Sequence, residues 1–116
     1  MGDVSFLPGV VTPDGRAAQL CDVASIIPLR SDELVRPNAP VVVAFRPEHI
    51  VLAPSNSAAA NATVDEVLYL GNVVKVVGRV AGTQVKATMP AHGYIPNVGG
   101  RVMLSLDADS GVVFFR

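Results

Sequence analysis

Apolar and polar residues alternate along much of the chain, most clearly over residues 62–89. Successive side chains of a β-strand point to opposite faces, so this pattern predicts strands with one buried side. Within it we predict a hairpin over residues 73–89 that turns at Ala81-Gly82. Four apolar residues share the predicted core-facing side: Val74, Val76, Val85 and Ala87.

The same alternation predicts further strands, separated by turn residues such as PDG and DADSG. They cover residues 4–11, 16–23, 40–45, 49–53, 62–70, 73–80, 83–89, 101–106 and 112–115. Helical periodicity is scarce, so we predict an all-β fold of about 8–9 short strands with at most one short helical turn. Residues 1–116 are expected to form a single domain. An OB-like β-barrel and a two-sheet sandwich both satisfy the pattern.

Two stretches of the chain carry little strand signal. The polar segment 30–39 is compatible with a loop or one helical turn. The segment 54–62, PSNSAAANA, is small and polar, which is typical of a flexible connection between two halves of a fold.

Four polar or rigid residues interrupt an extended apolar run in FRPEHIVLAP, residues 45–54. Pro47 fixes its own φ and favours an extended Arg46, after which Glu48 and His49 can complete one helical turn before a strand resumes at Ile50. Arg46 either pairs with Glu48 or caps a carbonyl at a corner between strands, or the two are exposed for a contact with another domain or subunit. Both interpretations remain open on the sequence alone.

Two further places are candidates for a ligand or an interface. Tyr69 ends a predicted strand, where a tyrosine commonly lies at the rim of the core with its hydroxyl in water. Alternatively, the loop 69–72 with Gly71 and Asn72 lines a groove for a ligand or a second subunit. Phe114 and Phe115 are neighbours on a strand, so one should face the core and the outward one is a candidate interface anchor. We take Phe115 as that anchor.

The composition argues against most chemical functions. Nine Lys and Arg residues against ten Asp and Glu residues leave no basic surplus for nucleic acid. The chain has no G-x-x-x-x-G-K-[ST] motif and no G-x-S-x-G motif, and His49, His92 and Cys21 lack metal-ligand spacing. We therefore predict no catalytic residue, no cofactor and no metal site in this chain.

Three other polar or apolar features have structural explanations. Asp65 and Glu66 are adjacent on a strand and are expected on opposite faces as solvated charges. Cys21 lies in the apolar run AAQLCDV and is expected to be a buried small hydrophobic residue. No stretch has the apolar length of a membrane helix and MGDVSFLPG lacks the basic start of a signal peptide, so we expect a cytoplasmic chain.

Four stretches together resemble a known family in order and spacing. They are GDVSFLPG (2–9), FRPEHIVL (45–52), EVLYLGNVVKV (66–76) and VGGRVMLSLDADSGVVFF (98–115). The chain is similar over nearly its whole length to the C-terminal regulatory region, the TOBE domain, of importer-type ABC transporter ATP-binding subunits. It resembles such a subunit without its ATPase domain.

This resemblance implies an OB-like barrel with a non-catalytic role: helping two ATPase subunits to pair and, in some members, sensing substrate. The implied partners are the chain's own ATPase domain, a second copy of the subunit and, indirectly, the permease subunits at the inner face of the cell membrane. ATP and Mg²⁺ belong to the missing ATPase domain, so no cofactor is implied for this chain.

Two alternatives accompany that interpretation. Molybdate-type members of the family bind the oxyanion, and backbone amides in turns such as Val98-Gly99-Gly100 could bind an anion here. An OB-like barrel could also bind single-stranded nucleic acid, but that role needs several exposed aromatic residues and the chain has six in total. We expect no nucleic-acid partner.

Overall fold

The computed structural model describes residues 4–21, 23, 26–29, 36–55 and 60–115, and within them the fold is all-β. The strands are β1 Ser5–Val11, β2 Ala17–Leu20, β3 Ile26–Pro28, β4 Pro40–Phe45, β5 Ile50–Pro54, β6 Ala62–Tyr69, β7 Val73–Val80, β8 Thr83–Pro90, β9 Arg101–Leu106 and β10 Val112–Phe115. Two 3₁₀ helices, Pro47–His49 and Ala108–Ser110, complete the described elements. We call them the first corner and the second corner.

The nine predicted strands are all present, and the structure adds two elements. β3 is a three-residue strand that pairs with β2, and the second corner is a helical turn in the segment DADSG. The predictions for the segments 30–39 and 54–62 concern in part residues 30–35 and 56–59, which lie outside the described residues. Among the described residues, no helix is long and apolar enough to cross a membrane.

The strands form two antiparallel five-stranded sheets. The first sheet has the order β10-β4-β1-β2-β3, and the second has the order β5-β9-β6-β7-β8. The chain therefore completes four strands of the first sheet, crosses to the second sheet at the first corner, and returns at the second corner to add β10.

The core lies between the inward faces of the two sheets, as the alternation predicts. Along β1, buried residues alternate with more exposed ones, and Leu7 and Val11 are almost completely buried. From the second sheet Val74, Val76 and Val85 meet them at 2 % exposure or less. Each such valine contributes roughly 1.5–3 kcal/mol relative to an exposed position.

Barrel closure depends on a contact between β1 and β8. β1 pairs with β2 only from Gly9 onward, so its first half is free to lie beside the edge strand β8. There the hydroxyl of Ser5, a residue 3 % exposed, accepts a hydrogen bond of 2.9 Å from the backbone N–H of Lys86. This bond satisfies a polar group that would otherwise be costly to bury.

The predicted hairpin at Ala81-Gly82 is confirmed. β7 and β8 pair in register from Val73–Pro90 to Val80–Thr83, and the two turn residues both have positive φ, 48° and 86°. Such a turn has the twist that matches paired antiparallel strands.

A β-bulge in β6 changes the prediction for Asp65 and Glu66. Val64 pairs with Gly78 and Glu66 pairs with Val77, so Asp65 is the extra residue and strict alternation fails there. Both carboxylates are exposed, as expected, but Asp65 forms a two-point ion pair with Arg79 at 2.8 and 3.2 Å. The pair holds the outer side of the bulge.

A substitution at Gly78, which lies opposite the bulge, tests how closely β6 and β7 approach each other. A Cβ at Gly78 would lie 2.8 Å from the Thr63 carbonyl oxygen, a backbone atom that cannot move without shifting β6. We expect Gly78→Ala to lower the free energy of unfolding by about 1–3 kcal/mol, because overpacking exceeds the gain of about 0.4–1 kcal/mol from stiffening the unfolded chain. Thermal unfolding measures this as a fall of several degrees in Tm.

The matched control is Gly93→Ala, whose Cβ would lie 3.7 Å from the Pro90 carbonyl oxygen, an ordinary contact. Its Tm should stay close to that of the parent. Equal Tm values for the two variants would contradict the close approach at the bulge.

Candidate functional site

The first corner has the local geometry predicted for the Arg-Pro-Glu-His segment. Arg46 is extended, with φ −78° and ψ 154°, and Pro47 starts a single 3₁₀ turn. The N–H of His49 donates to the Arg46 carbonyl at 3.0 Å, and the N–H of Ile50 donates to the Pro47 carbonyl as β5 begins. Pro47 is buried, so the corner is anchored by packing as well as by these two bonds.

Arg46 and Glu48 lie on the outside of this corner. The Arg46 Nε atom is 3.5 Å from Glu48 Oε2, and the two side chains are 62 % and 55 % exposed. An ion pair this exposed contributes little to stability. Both charged groups are therefore accessible to another molecule.

His49 is only partly exposed and is turned into the fold. Its Nδ1 atom is buried and has no hydrogen-bond partner among the described residues. The carbonyl of His49 accepts a 3.1 Å hydrogen bond from the N–H of Asp107, which starts the second corner. The backbone of His49 thus links the two corners.

The second corner is held by its capping carboxylate. Asp107 accepts from the N–H of Asp109 at 3.2 Å and from the Ser110 hydroxyl at 2.8 Å. The Ser110 hydrogen bond, followed by that from Asp109, lowers the pKa of the Asp107 carboxyl below its ordinary value. Gly111 then passes so close to the Phe45 ring that a Cβ would lie 2.9 Å from it.

The outward side of the first sheet is apolar across three strands. Its residues, which we call the apolar face, are Phe6, Pro8, Val10, Val42, Ala44, Val112 and Phe114. They form cross-strand rows: Phe6 pairs with Ala44, which pairs with Val112, and the next row runs from Pro8 through Val42 to Phe114. No formal charge lies on these positions.

The outward side of the second sheet mixes charged and polar residues with apolar ones such as Val51 and Leu68. Asp65 and Arg79 form their ion pair there, and Lys75, Lys86 and Gln84 occupy other outward positions of β7 and β8. A solvated antiparallel sheet commonly has polar residues on its outer side. The apolar face of the first sheet has no charged residue among its seven positions.

A groove of about 290 Å³ opens on the apolar face beside the first corner. It is lined by Val4, Phe6, Ala44, Phe45, Arg46, Ser110, Val112 and Phe114. The small side chain of Ala44 forms its floor between the larger Phe6 and Val112 of the same row. Arg46 is the charged residue among these lining groups.

The two C-terminal phenylalanines correct one expectation. Phe114 is 52 % exposed on the apolar face, and Phe115 is 56 % exposed on the other side of β10, so the expectation that one would be buried is wrong. β10 is an edge strand, so its inward side has a neighbouring strand on one flank only. Phe115 instead lines an open cavity of about 540 Å³ with Pro28 and Leu29.

The candidates at the β6–β7 turn lie apart from the groove. Tyr69 is 67 % exposed, and Gly71 has φ 83° with open space where a Cβ would lie. The Asn72 carbonyl accepts the Ala91 N–H at 3.1 Å, which ties the turn to the end of β8. None of the three is among the described residues that line the groove.

Two other expectations are wrong. The amides of Gly99 and Gly100 donate to the carbonyls of Val64 at 2.8 Å and Asn97 at 2.9 Å, so they are engaged in the fold and do not form a free anion nest. Cys21 is exposed. Among the described residues, no group of three His, Cys, Asp or Glu side chains could hold a metal ion.

Comparison with protein families identifies the fold that carries these features. The family model of the TOBE domain matches residues 43–114, which run from β4 through both corners and the whole second sheet to β10. The chain belongs to the TOBE domain family.

A solved structure with the same fold is the cytoplasmic molybdate-binding protein ModG, in a crystal form with molybdate bound. The TM-score is 0.66, the sequence identity is 15 %, and the similarity covers 96 % of this chain and 95 % of the ModG chain. At this identity the likeness shows a shared fold. It agrees with the OB-like barrel that the resemblance implied and that the strand pattern left open beside a two-sheet sandwich.

In this TOBE domain the capping carboxylate of the second corner should make stability depend on pH. A carboxyl whose pKa is lowered by folding stabilises the fold above its unfolded-state pKa, and this contribution is lost as pH falls through the folded-state pKa. We expect Asp107→Asn, which removes the titration but keeps an acceptor oxygen, to reduce the fall in Tm on acidification below about pH 4.

Asp107→Ala is the companion variant, because it removes both the charge and the acceptor. It should also lose part of the acid dependence, and at neutral pH its Tm should fall below that of Asp107→Asn. If Tm fell on acidification as steeply in both variants as in the parent, the role of Asp107 at the second corner would be contradicted.

Proposed function

We propose that this TOBE domain is the non-catalytic, C-terminal regulatory domain of the ATP-binding subunit of an ABC importer, where it supports the pairing of two subunits. The observation that carries the proposal is the apolar face with its groove beside the exposed Arg46 and Glu48 of the first corner. Contiguous exposed apolar patches of this kind mark sites of protein contact.

The proposal assigns the chemistry of transport to other parts of the assembly. ATP and Mg²⁺ bind to the ATPase domain, and the permease subunits carry the solute across the membrane. This domain contacts its own ATPase domain and a second copy of the subunit at the cytoplasmic face of the membrane. Its contribution is the free energy of those contacts, which biases the arrangement of the two ATPase domains.

The native gene product tests this proposal. An antibody raised against this chain should detect, in cells that express the native gene, a polypeptide much larger than 12.1 kDa. Sequencing the transcript upstream of these residues should then show a G-x-x-x-x-G-K-[ST] motif in the same reading frame. A native product of the size of this chain, or a longer one without that motif, would overturn the proposal.

A second candidate function is the binding of a small oxyanion. It is favoured by the fold shared with ModG, whose crystals contain molybdate. The engaged amides of Gly99 and Gly100 remove one expected anion site, so an oxyanion would have to bind elsewhere on the domain.

Thermal unfolding with molybdate, tungstate, sulfate and phosphate tests this second function. A bound anion at about a hundred times its Kd adds roughly 2.7 kcal/mol, which raises Tm by many degrees in a domain of this size. Chloride at equal ionic strength is the control for screening. A rise with one oxyanion alone supports a sensor, and no rise at millimolar concentration rejects it.

A further inference from the structure

The edge strand β10 lacks the usual protection against pairing with another chain. Among the described strands it pairs with β4 alone, so one of its two edges has no strand partner there. Edge strands are commonly protected by a proline, by charged side chains or by an element that covers them. The residues of β10, Val112–Phe115, include neither a proline nor a charge.

The other edge strands of the described sheets are protected. β3 has three residues and ends in Pro28, which has no N–H to donate. In the second sheet the edge strands β5 and β8 contact each other, and β8 also contacts β1. β8 carries Lys86 and ends in Pro90. The edge of β10 is therefore an exception within this fold.

The open cavity of about 540 Å³ lies along this edge. Val113 packs against the core and Val112 lies on the outward side, yet both line the cavity together with Phe115. Because residues from both sides of the strand border it, the cavity follows the edge of β10, where the backbone groups lie. Pro28 and Leu29 form a second wall, and β3 contacts the second corner. We call this cavity the slot.

We propose that the slot binds an extended segment of a partner protein, which adds to β10 as an antiparallel strand and presents a basic residue to Asp109. In this mode of recognition the backbone hydrogen bonds supply affinity and the side chains select the segment. The inference goes beyond the proposed function and does not rest on it, because it concerns a different partner.

The backbone of β10 is the first argument for an extended segment. In an antiparallel pair, the residues of an edge strand direct their N–H and C=O groups alternately toward the partner strand and away from it. Two of the four residues of β10 therefore direct both groups toward the slot. The slot has the volume of a small-ligand pocket, so it admits a segment of a few residues and excludes a folded sheet such as that of a second copy.

Charge is the second argument, and it sets the chemistry of the segment. Asp109 is exposed and is the charged residue among the described residues that line the slot. The other lining side chains are apolar, apart from that of Ser110. A complementary segment has apolar side chains at alternate positions, beside Leu29 and Phe115, and one Lys or Arg near the second corner. In an antiparallel arrangement this basic residue is at the C-terminal end of the segment, because β10 begins at the second corner.

NMR titration of the ¹⁵N-labelled chain with a synthetic peptide tests the proposal. The probe is acetyl-TVTVTK-amide, which has valine at alternate positions and lysine at its C-terminal end. We expect saturable binding with a Kd below about 1 mM. Chemical-shift changes should be confined to β10, the second corner and the Pro28-Leu29 wall. Hydrogen exchange should become about tenfold slower at two alternate amides of β10.

Two control peptides separate the backbone bonds from the charge. The first carries N-methyl groups on its two central residues, one of which must direct its N–H to β10, and should bind about tenfold more weakly. The second has glutamate in place of lysine and should bind about three- to tenfold more weakly. With the variant Asp109→Lys, the order of the lysine and glutamate peptides should reverse.

Phe115→Ser removes an apolar wall of the slot and should weaken peptide binding by about tenfold. Phe114→Ser is the matched control, because Phe114 is the preceding residue of β10, is exposed to a similar extent and does not line the slot. It should leave the Kd within about twofold of the parent value. Tm and circular dichroism confirm that each variant is folded before its binding is measured.

Three results would overturn the proposal. They are no binding at millimolar peptide, equal binding of the N-methylated peptide, and shift changes that lie on β8 or the apolar face instead of the slot. Protection of the β10 amides that rises with protein concentration and needs no peptide would identify a second copy as the occupant, and would overturn the proposal as well. None of these results alters the expected size of the native gene product, so the proposed function is tested separately.

Discussion

The structure depends on the hydrogen bond that joins its two corners, from the N–H of Asp107 to the carbonyl of His49. The chain leaves the first sheet at one of these corners and returns to it at the other. Ile50 and Leu106, which flank the bond, pair directly as β5 and β9. Because the two crossings meet at one place, β4 and β10 begin or end beside each other and can pair in the first sheet.

Each corner also carries its own local support. Pro47 starts the first turn and is buried, and the carboxylate of Asp107 caps the second. Gly111 allows the chain to pass the Phe45 ring where any side chain would collide with it. These constraints place Arg46, Ser110 and Val112 around one groove although they are distant in sequence. The candidate surface is thus a consequence of how the sheets are connected.

The outer sides of the two sheets of this TOBE domain differ. The second sheet, which contributes most of the family match, turns charged residues such as Asp65 and Arg79 outward among apolar ones. The first sheet turns an apolar side outward while its inner side packs the core. Burial on both sides is expected of a sheet that lies between a core and a partner, and this is the physical basis of the proposed role in assembly.

Much of the fold could be predicted from the sequence because the alternation of apolar residues reports local geometry. The alternation predicted nine strands and the hairpin at Ala81-Gly82, and the fixed φ of Pro47 predicted the turn at the first corner. The resemblance of four motifs supplied the family that the comparison confirms. β3 escaped prediction because three residues are too few to show a period, and the same holds for the three-residue second corner.

The candidate site could be predicted only in part. Arg46 and Glu48 were identified because their place in an apolar run is unusual, but the sequence does not show which strands are neighbours. The choice between Phe114 and Phe115 depends on the edge position of β10, and the fate of the Gly99 amide depends on Val64 in a distant strand. The pairing of strands that are distant in sequence decides the placement of the two phenylalanines and of the Gly99 amide. A local pattern of residues contains no information on that pairing.

Hydrogen exchange of the Asp107 amide, followed by NMR, tests the central constraint most directly. If the corners are joined as described, this amide should exchange as slowly as amides of paired strands such as Val76, although Asp107 itself is exposed. The amide of Gly93, bonded only within a surface turn, should exchange much faster. Exchange of Asp107 at the rate of Gly93 would show that the corners open independently, and would contradict the account.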